Sequence, residues 1–149
     1  MIIAADFDGT LVKKDFPRIG EEVPLAVDVL KALVNRGHKI ILYTCRTHTI
    51  YDGHDPLQEA IDWCTSRGIE LYAVNDNPES RERYGGQAKV SADMYIDDNG
   101  FGTPMVDGHV DWSAIKQYFY ELEVVEGSRC EYDEDPWVSG YDSSPQGGG

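Results

Sequence analysis

Short apolar runs alternate along the chain with apolar residues at helical spacing. The run Ile2–Ala5 stops abruptly at Asp6 and predicts a first buried strand. Residues 24–36 predict a helix, because Ala26, Val27, Leu30, Leu33 and Val34 fall on one face. Pro24 suits its first position, Glu21 and Glu22 precede its positive end, and Gly37 fits its C-terminal cap. Residues 39–43 predict a second strand. Asp55 then fits an N-cap, with Pro56 at the first position of a helix whose inner face is Leu57, Ala60, Ile61 and Cys64, and Gly68 ends it. Residues 69–74 predict a third strand and Met94–Ile96 a fourth that ends at Asp97. Residues 112–122 predict a last helix with Ile115, Phe119 and Leu122 facing inward.

Strands alternating with helices predict an α/β fold: a three-layer, Rossmann-like parallel sheet with helices on both faces. In such sheets ligands bind beyond the carboxyl ends of the strands. The residues expected there are Asp6-Phe7-Asp8-Gly9-Thr10, Thr44-Cys45-Arg46, Asn75-Asp76-Asn77 and Asp97-Asp98-Asn99. All four strand ends are rich in polar groups, and they gather acid, hydroxyl and base on one edge.

With 149 residues the chain suits one domain with one core. That domain is expected over residues 1–125. Residues 126–149 carry six acids against one base, Arg129, show little apolar periodicity and end in three glycines, so they read as an acidic, flexible tail. Over the whole chain 27 acids face 13 bases, a net charge of −14. That balance argues against nucleic acid or an anionic membrane as partner, since both select a positive surface. No apolar run approaches a bilayer span. Three cysteines without a close pair, Cys45, Cys64 and Cys130, suggest reduced thiols and a cytoplasmic protein.

The candidate chemistry follows from the strand ends. Asp6 and Asp8 leave one strand together, and Asp97 and Asp98 leave another. Carboxylates converging in this way repel one another, and an all-oxygen set suits Mg²⁺. Thr44 offers a hydroxyl, and Lys89, just before the fourth strand, offers a cation. Together these groups describe a site for a phosphoryl group.

On these residues the sequence resembles the haloacid dehalogenase superfamily, most of whose members are phosphatases. The DFDGT stretch at residues 6–10 is similar to its first motif, the apolar strand ending in Thr44 to its second, Lys89 to its third, and Ile96-Asp97-Asp98 to its fourth. The likeness spans roughly residues 1–112. It implies Asp6 as nucleophile, forming an aspartyl-phosphate, and Asp8 as general acid and then base. It also implies that Thr44 and Lys89 hold the phosphoryl oxygens, and that Mg²⁺ sits on the Asp6 carboxylate, the Asp8 carbonyl and one Asp of the pair. Asp98 is the favoured ligand, with Asp97 behind it. Asp6 should then be ionised while Asp8 holds a proton. Arg46, one turn above, could contact substrate phosphate or form a surface ion pair.

The intervals between motifs leave no room for a cap domain, so the site is expected to be open. A small phosphorylated substrate is preferred, with a nucleic-acid end as a weaker alternative, and a homo-oligomer could cover the opening. Two other readings remain: a phosphoacceptor module, which the motif order disfavours, and an inactive binding module. Cys45 lacks the arginine six positions on that a cysteine phosphatase needs, and reads as a small buried residue. His48 and His54 match no zinc spacing. Trp63 and Trp112 read as packing anchors.

Overall fold

The computed structural model describes residues 1–86 and 88–125. The expected acidic tail, residues 126–149, lies outside them. Strands β1 (Ile2–Ala5), β2 (Lys39–Leu42), β3 (Leu71–Val74) and β4 (Met94–Ile96) form one parallel sheet in the order β3-β2-β1-β4. Helices α1 (Ala26–Asn35), α2 (Pro56–Ser66), α3 (Pro78–Tyr84) and α4 (Trp112–Val125) surround it, and β5 (Met105–Val106) pairs with β6 (His109–Val110) as an antiparallel hairpin. The expected α/β architecture is therefore present. Among the described residues no helix is long and apolar enough to cross a membrane.

Alternation along the strands builds two unequal layers. Ile3, Ala5, Ile40 and Leu42 join the main core with Ala26, Val29, Leu30 and Leu33 of α1, Trp63 and Cys64 of α2, and Trp112, Ile115 and Phe119 of α4. Ala4 and Ile41 belong to a smaller cluster with Val90, edged by Tyr43, Tyr72 and Ala92. Trp63 and Trp112 are both buried, as expected of packing anchors.

Helix α2 starts as its sequence predicts, the Asp55 carboxylate accepting from the Gln58 N–H at 2.9 Å. Helix α1 starts later than expected. Leu25 is its cap, at φ 68° and with no side-chain bond, and Pro24 lies outside the helix. Glu21 and Glu22 do not serve its dipole alone: they pair with Lys13 (2.6 Å) and Arg67 (2.8 Å). Ile69 stands before β3, because its N–H closes the end of α2 on the Cys64 carbonyl.

Two elements were not expected. Helix α3, PESRERY, has no buried residue and so leaves no apolar periodicity to read. Its one local signal is Asn77 before Pro78, and the Asn77 side chain does accept from the Ser80 N–H. The β5–β6 hairpin turns on Asp107 and Gly108, both at positive φ (49° and 82°), the pairing that a two-residue Asp-Gly turn favours.

The sheet order positions the site. From β1 the chain moves outward through β2 and β3, then returns to place β4 on the other side of β1. The direction of winding reverses between β1 and β4, which opens a crevice at their carboxyl ends. Asp6 leaves one of these strands, and Asp97 and Asp98 leave the other.

Candidate active site

The loop after β1 is fixed by its own backbone. The Asp6 N–H donates to the Ile96 carbonyl (2.9 Å), holding this residue beside β4. The Phe7 carbonyl accepts from the N–H groups of Thr10, Leu11 and Val12, and the Gly9 N–H donates to the Val12 carbonyl at 2.7 Å. Gly9 has φ +87°, and a Cβ there would lie 2.8 Å from the Asp98 carboxylate, so backbone conformation and space both require glycine. Thr10 is fully buried. Its hydroxyl accepts from the Asp98 N–H (3.2 Å), and its carbonyl accepts from the indole N–H of Trp112 (2.7 Å). The start of α4 thus braces the loop after β1, and that loop braces the end of β4.

Carboxylate oxygens of Asp6, Asp97 and Asp98 come within 4.8 Å of one another. Burial pushes the Asp6 carboxyl up to about 7, with the charges of Asp97, Asp98 and Asp8 adding to the rise and a bond from the Phe7 backbone opposing it. Lys14 forms an ion pair with Asp98. That hydrogen bond holds its ammonium above the ordinary lysine value, against desolvation and with the charges of Asp98, Asp6 and Asp97 adding to the rise. Three mutually repelling oxygen donors of this kind fit a hard divalent cation such as Mg²⁺. Both Asp97 and Asp98 belong to the triad, so the geometry does not set one behind the other.

Asp8 faces elsewhere. Both its oxygens accept from Arg46, Nε at 2.7 Å and Nη2 at 2.7 Å. The remaining donors of Arg46 go to the carbonyls of Pro17 (3.1 Å), Arg18 (2.7 Å) and Pro56 (3.4 Å). All five guanidinium N–H groups are spent, the side chain is buried, and its plane lies by the rings of Phe7 (4.9 Å) and Phe16 (5.3 Å). This corrects one expectation. Arg46 is neither a surface ion pair nor free for phosphate; it clamps Asp8. Asp8 accepts through both oxygens and is fixed by this pair.

Thr44 stands at the end of β2, half-buried, its hydroxyl accepting from the Arg46 N–H (3.1 Å) with its own proton still available. The Asn75 side chain grips the Thr44 backbone from both sides, accepting from its N–H (2.8 Å) and donating to its carbonyl (2.9 Å). Lys89 is exposed, with its ammonium 5.1 Å from the Tyr95 ring, in a small cleft beside Asn75 and Asn77. The ammonium placed at the triad is that of Lys14. Sequence reasoning passed over Lys14 because nothing local distinguishes it from Lys13, and over Asn75 because its role is a contact across 31 positions.

Cys45 is exposed, another correction: Arg46 takes the inward position beside it. His48 and His54 bond to Asp55 (2.8 Å) and Glu59 (2.7 Å). Among the described residues the acidic triad is the one group arranged to hold a metal.

The raised Asp6 carboxyl has a consequence for stability. Between the ordinary value of 3.8 and about 7, the folded state holds a proton that the unfolded chain has released. The stabilising contribution is therefore complete below 3.8 and is lost as pH rises through 7. In chelator, Asp6→Asn is expected to melt above the native protein at pH 8, and by a clearly smaller margin at pH 5. Equal melting differences at both values, by calorimetry, would show that Asp6 carries no such burden.

The solved structure of a conserved protein coded by a locus from Bacteroides thetaiotaomicron is 42% identical to this chain, with a TM-score of 0.66, over 82% of this chain and 91% of that one. No family model and no curated protein matches the chain.

Proposed function

We propose that this chain, which belongs to the same family as the conserved Bacteroides thetaiotaomicron protein, is a Mg²⁺-dependent phosphate monoester hydrolase of the haloacid dehalogenase type. The observation that carries this reading is the convergence of Asp6, Asp97 and Asp98 at the crevice between β1 and β4, with Asp8 held separately by Arg46.

Asp6, Asp97 and Asp98 would hold the cation, which when bound offsets negative charge on the phosphoryl oxygens and keeps Asp6 ionised at neutral pH. The Asp6 carboxylate attacks phosphorus, the ester P–O bond breaks, and the alcohol leaves with a proton from Asp8. Asp8, now a carboxylate, takes a proton from water. That water attacks the aspartyl-phosphate, releases phosphate and returns Asp8 to its protonated form. The bidentate Asp8–Arg46 pair matches the carboxylate stage between these half-reactions. The Thr44 hydroxyl and the ammonium of Lys14 or Lys89 would bind phosphoryl oxygens.

The test is phosphate release from a panel of monoesters in Mg²⁺ and in chelator, run beside thermal melting. Release is expected to require Mg²⁺, and the melting temperature to rise with Mg²⁺ concentration. Lys14 shares Asp98 with any bound cation, so Lys14→Gln is expected to bind Mg²⁺ more tightly by melting titration. Full release in chelator, or a melting temperature indifferent to Mg²⁺, would contradict the proposal.

A further inference from the structure

A cleft of about 790 Å³ opens between the segment at Pro17 and α2. Its apolar walls are Pro17, Ile19, Tyr51 and Trp63. Its charged groups are Asp52, Glu59 and Asp62 against one cation, Arg18. Arg18 is already bound through two bonds to Asp15 (2.9 and 2.8 Å). Glu59 is engaged with His54, and Asp62 accepts from Gln58 through one oxygen only (2.9 Å). The cleft therefore presents aromatic and aliphatic surface under a negative rim.

Its wall is tied to Asp8 through the buried Arg46 side chain. The Arg18 carbonyl and the Asp8 carboxylate both lie 2.7 Å from the same Arg46 nitrogen. Asp8 is the group proposed to protonate the leaving oxygen, so the body of the leaving alcohol falls on this side of the phosphoryl site. From this arrangement, which rests on the hydrolase reading above, we infer that the cleft is the leaving-group subsite and takes an aromatic or apolar alcohol bearing a positively charged nitrogen. A second phosphate or a carboxylate on the substrate meets the rim's repulsion, which removes nucleoside bisphosphates and sugar bisphosphates from the substrate class. The loop bearing Tyr51, Asp52 and His54 follows the strand of Thr44, so one connection serves phosphate and leaving group in turn.

The test uses three phenols of one shape, tyramine, 4-ethylphenol and 3-(4-hydroxyphenyl)propionate, and their phosphate monoesters, on the full chain with Mg²⁺. Binding of the free phenols is read by calorimetry, without turnover. Tyramine is expected to bind at least ~5-fold more tightly than 4-ethylphenol, and the propionate least tightly, a margin suited to a partly screened charge pair. The kcat/KM values of the esters are expected in the same order. The double variant Asp52→Asn, Asp62→Asn changes two exposed residues, leaves the core untouched, and is expected to erase the tyramine advantage. Equal binding of all three phenols, no binding of any, or a tyramine preference that survives the double variant overturns the subsite. Tyramine preference without hydrolysis of any ester leaves the cleft standing and removes the hydrolase reading. Hydrolysis without preference does the reverse.

Discussion

Asp6→Asn is expected to lower phosphate release at least ~10³-fold, about 4 kcal/mol of transition-state stabilisation, while the protein stays folded. The substitution keeps size and shape and removes the one charge proposed to attack phosphorus. It also removes an oxygen from the acidic triad, so the Mg²⁺-dependent rise in melting temperature should shrink in the same protein. The fold should not suffer, since the Asp6 backbone bond to Ile96 is independent of the side chain. Turnover within ~10-fold of the native rate would remove Asp6 from the nucleophile's role, and no secondary effect on metal binding would restore it.

The second large effect is expected at Arg46. Arg46→Lys keeps the charge but cannot span two carboxylate oxygens and three carbonyls at once. Asp8 loses its fixed orientation, and turnover is expected to fall ~100-fold, about 2.7 kcal/mol. Leaving buried carbonyls and a carboxylate partly unpaired should also cost about 3 kcal/mol of stability. The two losses are separable. On the proposed route an activated aryl phosphate needs little acid from Asp8 in the first half-reaction, but the second still needs its base. Arg46→Lys should then give a burst of alcohol followed by slow turnover. A uniform loss without a burst would leave Arg46 a structural residue only.

Much of the fold was legible because local chemistry and global arrangement agree. Asp55-Pro56 announces α2, the spacing from Ala26 to Leu33 announces α1, and each strand ends where polar residues begin. Helix α3 was not legible, since a helix with no buried residue has no apolar face to betray it. The site was legible to the level of the strand ends and no further. Asp6, Asp97 and Asp98 converge as their positions suggest. The partner of Asp8 could not be read, because Arg46 is 38 positions away and its burial depends on carbonyls from the Pro17 segment and the start of α2. Thr10, visible as part of a motif, gains its meaning from Trp112, 102 positions on. Contacts of this range are products of the sheet order, which brings β4 to β1 and the start of α4 beneath both.

The central claim is that phosphate passes through a covalent bond to Asp6. The most direct measurement is acid quenching of the protein during turnover of an activated aryl phosphate with Mg²⁺, borohydride reduction of any acyl phosphate, and peptide mass spectrometry. The account predicts that residue 6, and no other, is converted to homoserine, that conversion rises in Arg46→Lys, and that it vanishes in chelator. Phosphate release with Asp6 unmodified, or with the label on another residue, would contradict it.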